Sequence, residues 1–211
     1  MNKYITQFLK LKCAGDVLNI VSPINHIEKE ITEAMAVIRS IKKITIDKPM
    51  EYTIIDLCAG NALSSVISAF LLPIKKAIAI DKKKRNRKWH LIKNFEYIEK
   101  DIFKLNPNNI SQKTIITAIH PCSTLAEQVI DIFYNSLAEY LVLMPCCSKS
   151  DIGNKFPALL QEKLTNYNLW CYYLYQKCAE FCEKVEIFKD KNCLSPKNII
   201  IKAKKEVKRW I

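Results

Sequence analysis

Glycine is scarce in this chain, with three residues in 211. Few positions can therefore take a positive φ without strain, and Gly60 stands out among them. Long apolar runs are also missing. Lys75 and Lys76 interrupt the longest candidate, so no segment reaches the length of a membrane helix. Met1 to Lys12 carries no apolar signal core and no small-residue cleavage site, which leads us to expect a cytoplasmic protein. Nine cysteines is an odd count, and without a secretory signal a disulfide framework is not expected. No internal repeat and no low-complexity tract occurs. What remains is a hydrophobic fraction of 49%, ample for one large folded domain with a short extension.

Positive charge is in excess. The formal net charge of +12 calls for an anionic partner such as RNA, DNA or an acidic surface. A general lysine- and isoleucine-rich composition accounts for part of it. It does not account for the crowding of Lys82, Lys83, Lys84, Arg85, Arg87 and Lys88 into one short segment.

The order of apolar segments predicts the architecture. Residues 1–48 read as a helical extension, with Ser22-Pro23 as a helix start. Ile24, Ile27, Ile31, Met35, Ile38 and Ile41 then recur at helical steps as an amphipathic stripe. This face packs on the following domain, residues 49–211. There strands at 52–57, 76–81, 95–98, 114–119 and 140–144 alternate with helices at 62–72, 82–93, 125–134 and 156–182. Val185–Phe188 and Asn198–Lys202 close the chain as a hairpin-like pair around Ser195-Pro196. Such alternation argues for an α/β, Rossmann-like, mostly parallel sheet with helices on both faces.

The central stretch is Asp56-Leu-Cys58-Ala-Gly60-Asn-Ala62, a strand running through a turn into a helix. That arrangement sets backbone N–H groups and a helix N-terminus beside any ligand on the strand end. Asp81 ends the second strand and Asp101 follows the third. The pattern resembles the class I S-adenosylmethionine-dependent methyltransferases over roughly residues 50–205, a fold of seven strands with the last pair antiparallel. Of the glycines in that family's first motif only the middle one is present, and Cys58 and Ala62 replace the outer two. The resemblance implies S-adenosyl-L-methionine as cofactor. Asp81 would hold the ribose hydroxyls, Asp101 with Ile102 the adenine, and Asp56 and Gly60 the methionine end. Cys58, Asn61, Lys82 and His120 complete the expected cofactor set.

The ends of the fourth and fifth strands carry His120-Pro-Cys122-Ser and Met144-Pro-Cys146-Cys147-Ser. These look like the His-x-Cys and Cys-Cys signatures of a methyltransferase subgroup that includes the tRNA 2′-O-methyltransferase acting on the acceptor stem. The Cys-Gly continuation after His-x-Cys is missing here. The resemblance implies methylation of RNA, either tRNA or rRNA, with His120, Cys122, Cys146 and Cys147 as catalytic candidates. His120 would be the base, having an intrinsic pKa near ~6.5. An alternative uses the same residues. RNA cytosine-5 methyltransferases carry Asp-x-Cys-Ala, Pro-Cys-Ser and a later Cys-Ser, with a thiolate adding to the pyrimidine ring. Here His120 stands where their carboxylate is expected. A methyltransferase-like RNA-binding protein without catalysis is a further alternative. No Cys-x-x-Cys occurs, and adjacent cysteines suit one tetrahedral ion poorly, so no metal is assigned.

The basic segment follows the ribose-binding strand. Lys83, Lys84, Arg85, Arg87 and Lys88 could grip phosphates while Trp89 stacks on a base.

Overall fold

Successive side chains of a strand face opposite sides of a sheet, and here both sides are buried. The computed structural model describes residues 2–83, 85–149 and 151–205. Its strands are β1 (Thr53–Leu57), β2 (Lys76–Asp81), β3 (Phe95–Glu99), β4 (Thr114–Ile119), β5 (Tyr140–Met144), β6 (Lys184–Lys189) and β7 (Ile199–Lys204). They form one sheet in the order β3-β2-β1-β4-β5-β7-β6. All neighbours are parallel except β7, which runs against both β5 and β6. This is the expected Rossmann-like sheet, and it places the C-terminal ends of β1, β4 and β5 side by side.

The helices are α1 (Lys3–Leu9), α2 (Ala14–Val21), α3 (Ile27–Asp47), α4 (Leu63–Leu71), α5 (Thr124–Asn135), α6 (Ala158–Lys163) and α7 (Asn166–Ala179). Ile54, Ala77, Ile115, Val142 and Ile200 pack under α1 to α4. Their strand neighbours Ile55, Ile116, Leu141, Leu143 and Ile201 pack on the opposite face under α5 and α7. This strict alternation is why the near-continuous apolar strands of the sequence are two-sided core elements. No helix among the described residues is long and apolar enough to cross a membrane.

Three expected elements differ. The extension is three helices, and its long helix begins at Ile27, not at Ser22-Pro23. His26 before it sits at φ 57°, a left-handed backbone that cannot continue a right-handed helix. The helix expected over 82–93 shrinks to a single 3₁₀ turn at Trp89–Leu91. Its cationic run lacks an apolar stripe to bury, so nothing but weak local propensity favours helix there. The helix expected over 156–182 breaks in two, because Leu164 is extended and the Thr165 hydroxyl caps a fresh start at Asn168 N–H.

Helix α3 packs against α4 and reaches β4 and β5. Its first turns therefore lie over the strand ends that carry the candidate site. Residues 31–38 are buried all round. The loop between β6 and β7 covers the outer side, with the Leu194 N–H donating to the Thr32 hydroxyl at 3.1 Å.

The two-sided core makes a direct prediction. Ile116 is fully buried on β4, so Ile116→Ala should lower the free energy of unfolding by about 2–5 kcal/mol in urea titration. Ile46 on the outer face of α3 is half exposed, and Ile46→Ala should change it by no more than about 0.5 kcal/mol.

Candidate active site

The turn from β1 into α4 is built on left-handed residues. Cys58, Gly60 and Ala62 have φ of 59°, 53° and 55°. Only Gly60 adopts this without a Cβ penalty, which is about 1–2 kcal/mol for an ordinary residue. Cys58 and Ala62 take this left-handed conformation despite carrying a Cβ. The conformation is held from behind. The Ala59 N–H donates to the Ile80 carbonyl at 3.1 Å, and the Gly60 N–H donates to Asp81 Oδ2 at 2.9 Å.

Asp56 fixes the same turn from inside. It is almost completely buried and accepts three hydroxyl hydrogen bonds, from Ser64 at 2.5 Å, Ser65 at 2.7 Å and Thr117 at 3.1 Å. The two serines stand on the first turn of α4 and the threonine on β4, so one carboxyl joins three elements. Burial pushes its pKa up, and the three hydroxyls pull it back only in part.

Two acids on α3 complete the cleft. Glu33 Oε1 lies 2.7 Å from His120 Nε2, and Glu30 accepts from Asn61 Nδ2 at 2.9 Å. Lys29 is 3.8 Å from Glu33. Burial raises the pKa of Glu30, opposed by the Asn61 hydrogen bond. His120 sits at φ 56°, and its Nδ1 is enclosed with no hydrogen-bond partner. The sequence pattern did not single out Glu30 or Glu33. The available signal was Glu33 itself, the one charge in the eight-residue run Ile31–Ile38.

These residues enclose a cleft of about 280 Å³, lined by Asp56, Cys58, Gly60, Glu30, Glu33 and His120 among others. A Cβ built on Gly60 meets nothing within 4 Å, so the turn opens onto free space. The donor set suits S-adenosyl-L-methionine. Its sulfonium and ammonium are cations, and the cleft is walled by carboxylates. Asp81 closes β2 and uses one lone pair on each oxygen, for the Gly60 N–H and for the Lys83 N–H at 2.8 Å. A carboxylate has about four such sites, so two remain for a diol. Asp101 follows β3; the Phe103 N–H and the Lys82 ammonium, 3.1 Å away, hold its carboxyl below the usual range. Ile102 is buried beneath it.

Sequence-predicted catalytic residues converge at the ends of β4 and β5. The His120 N–H donates to the Met144 carbonyl at 2.7 Å, and the Ser123 N–H to the Cys147 carbonyl at 3.2 Å. Cys122 and Cys146 come to 3.2 Å between sulfurs, and Cys146 and Cys147 to 3.5 Å. Burial raises the thiol pKa of Cys122 and Cys146, and pushes Cys58 up to about 12.

The basic segment is distributed differently. Lys82 pairs with Asp101, the Lys88 ammonium donates to Asn19 at 2.6 Å, and Arg87 donates to the Pro23 carbonyl at 2.8 Å. Lys83 is exposed and Arg85 half-buried; Lys84 lies outside the described residues. Trp89 stacks flat on Tyr97, with ring centres 5.2 Å apart.

The buried carboxyl of Asp56 yields a prediction. Asp56→Ala strips the acceptor from three hydroxyls and should cost about 3 kcal/mol in chemical denaturation. Asp56→Asn, neutral and near-isosteric, should cost less. Because the folded pKa is raised, the stability Asp56 adds is full below the unfolded carboxylate range and is lost as pH rises through the folded value. The Asn variant should flatten that limb of the pH–stability profile.

The sequence pattern of the methyltransferase-domain family matches residues 28–150, starting within α3. No curated protein matches by sequence. Among solved structures, the carbon methyltransferase CurJ superposes with a TM-score of 0.55 at 18% identity, over 83% of this chain and 54% of that one. The 23S rRNA methyltransferase ErmE gives 0.51 at 12% identity, over 80% and 68%. A TehB-like SAM-dependent methyltransferase from Corynebacterium glutamicum gives 0.51 at 9% identity, over 83% and 88%. At these identities the likeness is one of fold. With the family pattern covering more than half of the sequence and the cleft suited to the methyl donor, the chain belongs to the methyltransferase-domain family and is an S-adenosylmethionine-dependent methyltransferase.

Proposed function

We propose that the protein methylates RNA, a tRNA or rRNA, in the cytoplasm. The observation that carries this reading is the course of α3. Its first turns wall the cleft with Glu30 and Glu33. Its middle carries Arg39 and Lys43 into a second groove of about 480 Å³ against β6 and β7, where Lys189, Lys191 and Lys202 also lie. Glu186 and Asp190 share that groove, but cations outnumber them. A groove with this excess of cations suits a phosphate backbone. The exposed Lys83 adds charge near the other rim. The meeting of His120 with Cys122, Cys146 and Cys147 supports the His-x-Cys and Cys-Cys subgroup, and with it an acceptor hydroxyl on RNA.

S-adenosyl-L-methionine supplies an electrophilic methyl group on its sulfonium. Asp81, Asp101 and the Gly60 turn hold and orient it, with Cys58, Asn61 and Lys82 beside them. Glu33 accepts the Nε2 proton of His120, which fixes the tautomer and leaves Nδ1 as the basic nitrogen. Nδ1 is enclosed in this structure, so substrate entry has to expose it before His120 takes the acceptor proton. The cytosine-5 alternative needs a thiolate, and burial works against one at Cys146.

Incubation with labelled S-adenosyl-L-methionine and bulk RNA should place label in the RNA fraction. Lys43→Glu with Lys202→Glu should raise KM for RNA about 10-fold or more at low salt, with a smaller difference from wild type as salt rises and kcat little changed. Glu33→Gln should instead lower kcat by about 100-fold, the lower part of the range for a lost acid–base contribution. Label found only in protein or small molecules would overturn the RNA reading. RNA binding with no transfer at all would favour the non-catalytic alternative.

A further inference from the structure

The three sulfurs of Cys122, Cys146 and Cys147 are the one group of soft ligands among the described residues whose donor atoms all lie within 4.8 Å of one another. Their spacing is informative. Around a tetrahedral zinc-class ion with metal–sulfur bonds of ~2.3 Å, neighbouring sulfurs sit ~3.8 Å apart. Here Cys146 lies 3.2 Å from Cys122 and 3.5 Å from Cys147 between sulfurs. Two loops present them, and the loops are fastened to each other by backbone hydrogen bonds at both ends of the cluster, His120 to Met144 and Ser123 to Cys147. The sulfurs are therefore gathered before any ion arrives, which spares most of the ordering cost of binding. Without an ion they are poorly served. Cys122 and Cys146 have only the His120 carbonyl, at 3.7 Å and 3.3 Å, and the neighbouring thiols as partners. Cys122 and Cys147 are exposed while Cys146 forms the floor, so the cluster is a cup open to solvent on one side.

We propose that Cys122, Cys146 and Cys147 form a binding site for a thiophilic divalent cation of the zinc class, with its fourth position open. The adjacency of Cys146 and Cys147, which in the bare sequence spoke against one tetrahedral ion, is overcome because the third sulfur comes from the neighbouring strand end. Binding expels the thiol protons into solvent and leaves three thiolates on the ion, so uptake should release protons and weaken at low pH. The site adjoins His120 but requires neither RNA nor methyl transfer.

The test is titration of the reduced full-length protein with Co(II), followed by competition with Zn(II). The expected result is one equivalent bound, with sulfur-to-cobalt charge-transfer absorption that Zn(II) abolishes. Cys122→Ser and Cys147→Ser alter exposed residues and should keep the wild-type melting curve. Each should weaken binding by more than the 10–100-fold typical of losing an outer-shell partner. Cys182→Ser, at the opposite end of the strands, should leave the spectrum unchanged. Absence of the charge-transfer band in the folded wild-type protein would overturn the proposal, as would a band that survives both variants. A Cys122–Cys146 disulfide that forms in preference to metal uptake under mild reduction would overturn it too.

Discussion

The site depends on one buried carboxyl. Asp56 ends the apolar run of β1, where a charge is most costly, and three hydroxyls from α4 and β4 answer it. That contact fixes the angle at which α4 leaves the sheet and so the path of the turn between them. The turn then needs three left-handed residues, only one of which is glycine. Burial of Ala62 and the Asp81 contact to the Gly60 N–H supply the restraint that glycine's freedom would have made unnecessary. A strained loop of this kind persists only where its surroundings over-determine it.

Helix α3 is the second organising element. As an amphipathic helix it closes the core under the sheet. It also delivers Glu33 to His120 and Glu30 to Asn61, linking the packing of the N-terminal segment to the electrostatics of the cleft. Carboxylates there suit a cationic methyl donor, whereas the lysines and Arg39 further along suit a polyanionic acceptor. One helix thus borders both an acidic cleft and a cation-rich groove. The thiol cup at the ends of β4 and β5 lies against the same histidine and adds a soft-ligand surface.

Much of this was readable in the sequence. The two-sided strands were visible because Ile54-Ile55 and Ile115-Ile116 are apolar on both faces, and the acids at 56, 81 and 101 marked successive strand ends. The motif around Gly60 was recognisable although two of its glycines are gone, because Asp56 and the middle glycine remain and small residues, Cys58 and Ala62, stand at the other two positions. What stayed hidden depends on tertiary contact. Glu33 looks like any helix carboxylate until α3 is laid over β4. The cationic run at 82–88 suggested a helix gripping phosphates with Trp89 stacked on a base, but a loop draws Arg87 and Lys88 to Pro23 and Asn19, and Trp89 to Tyr97. The grouping of three sulfurs from two strand ends could be guessed from topology but not measured without coordinates.

Asp81 holds the Gly60 N–H, and it has lone pairs left that a ribose diol would use. Calorimetric titration with S-adenosylhomocysteine, comparing the wild-type protein with Asp81→Ala, tests both together. The account predicts micromolar-scale binding by the wild type and at least a 10-fold loss in a variant that still melts cooperatively. Equal binding by the two proteins, or none by a well-folded wild type, would contradict it.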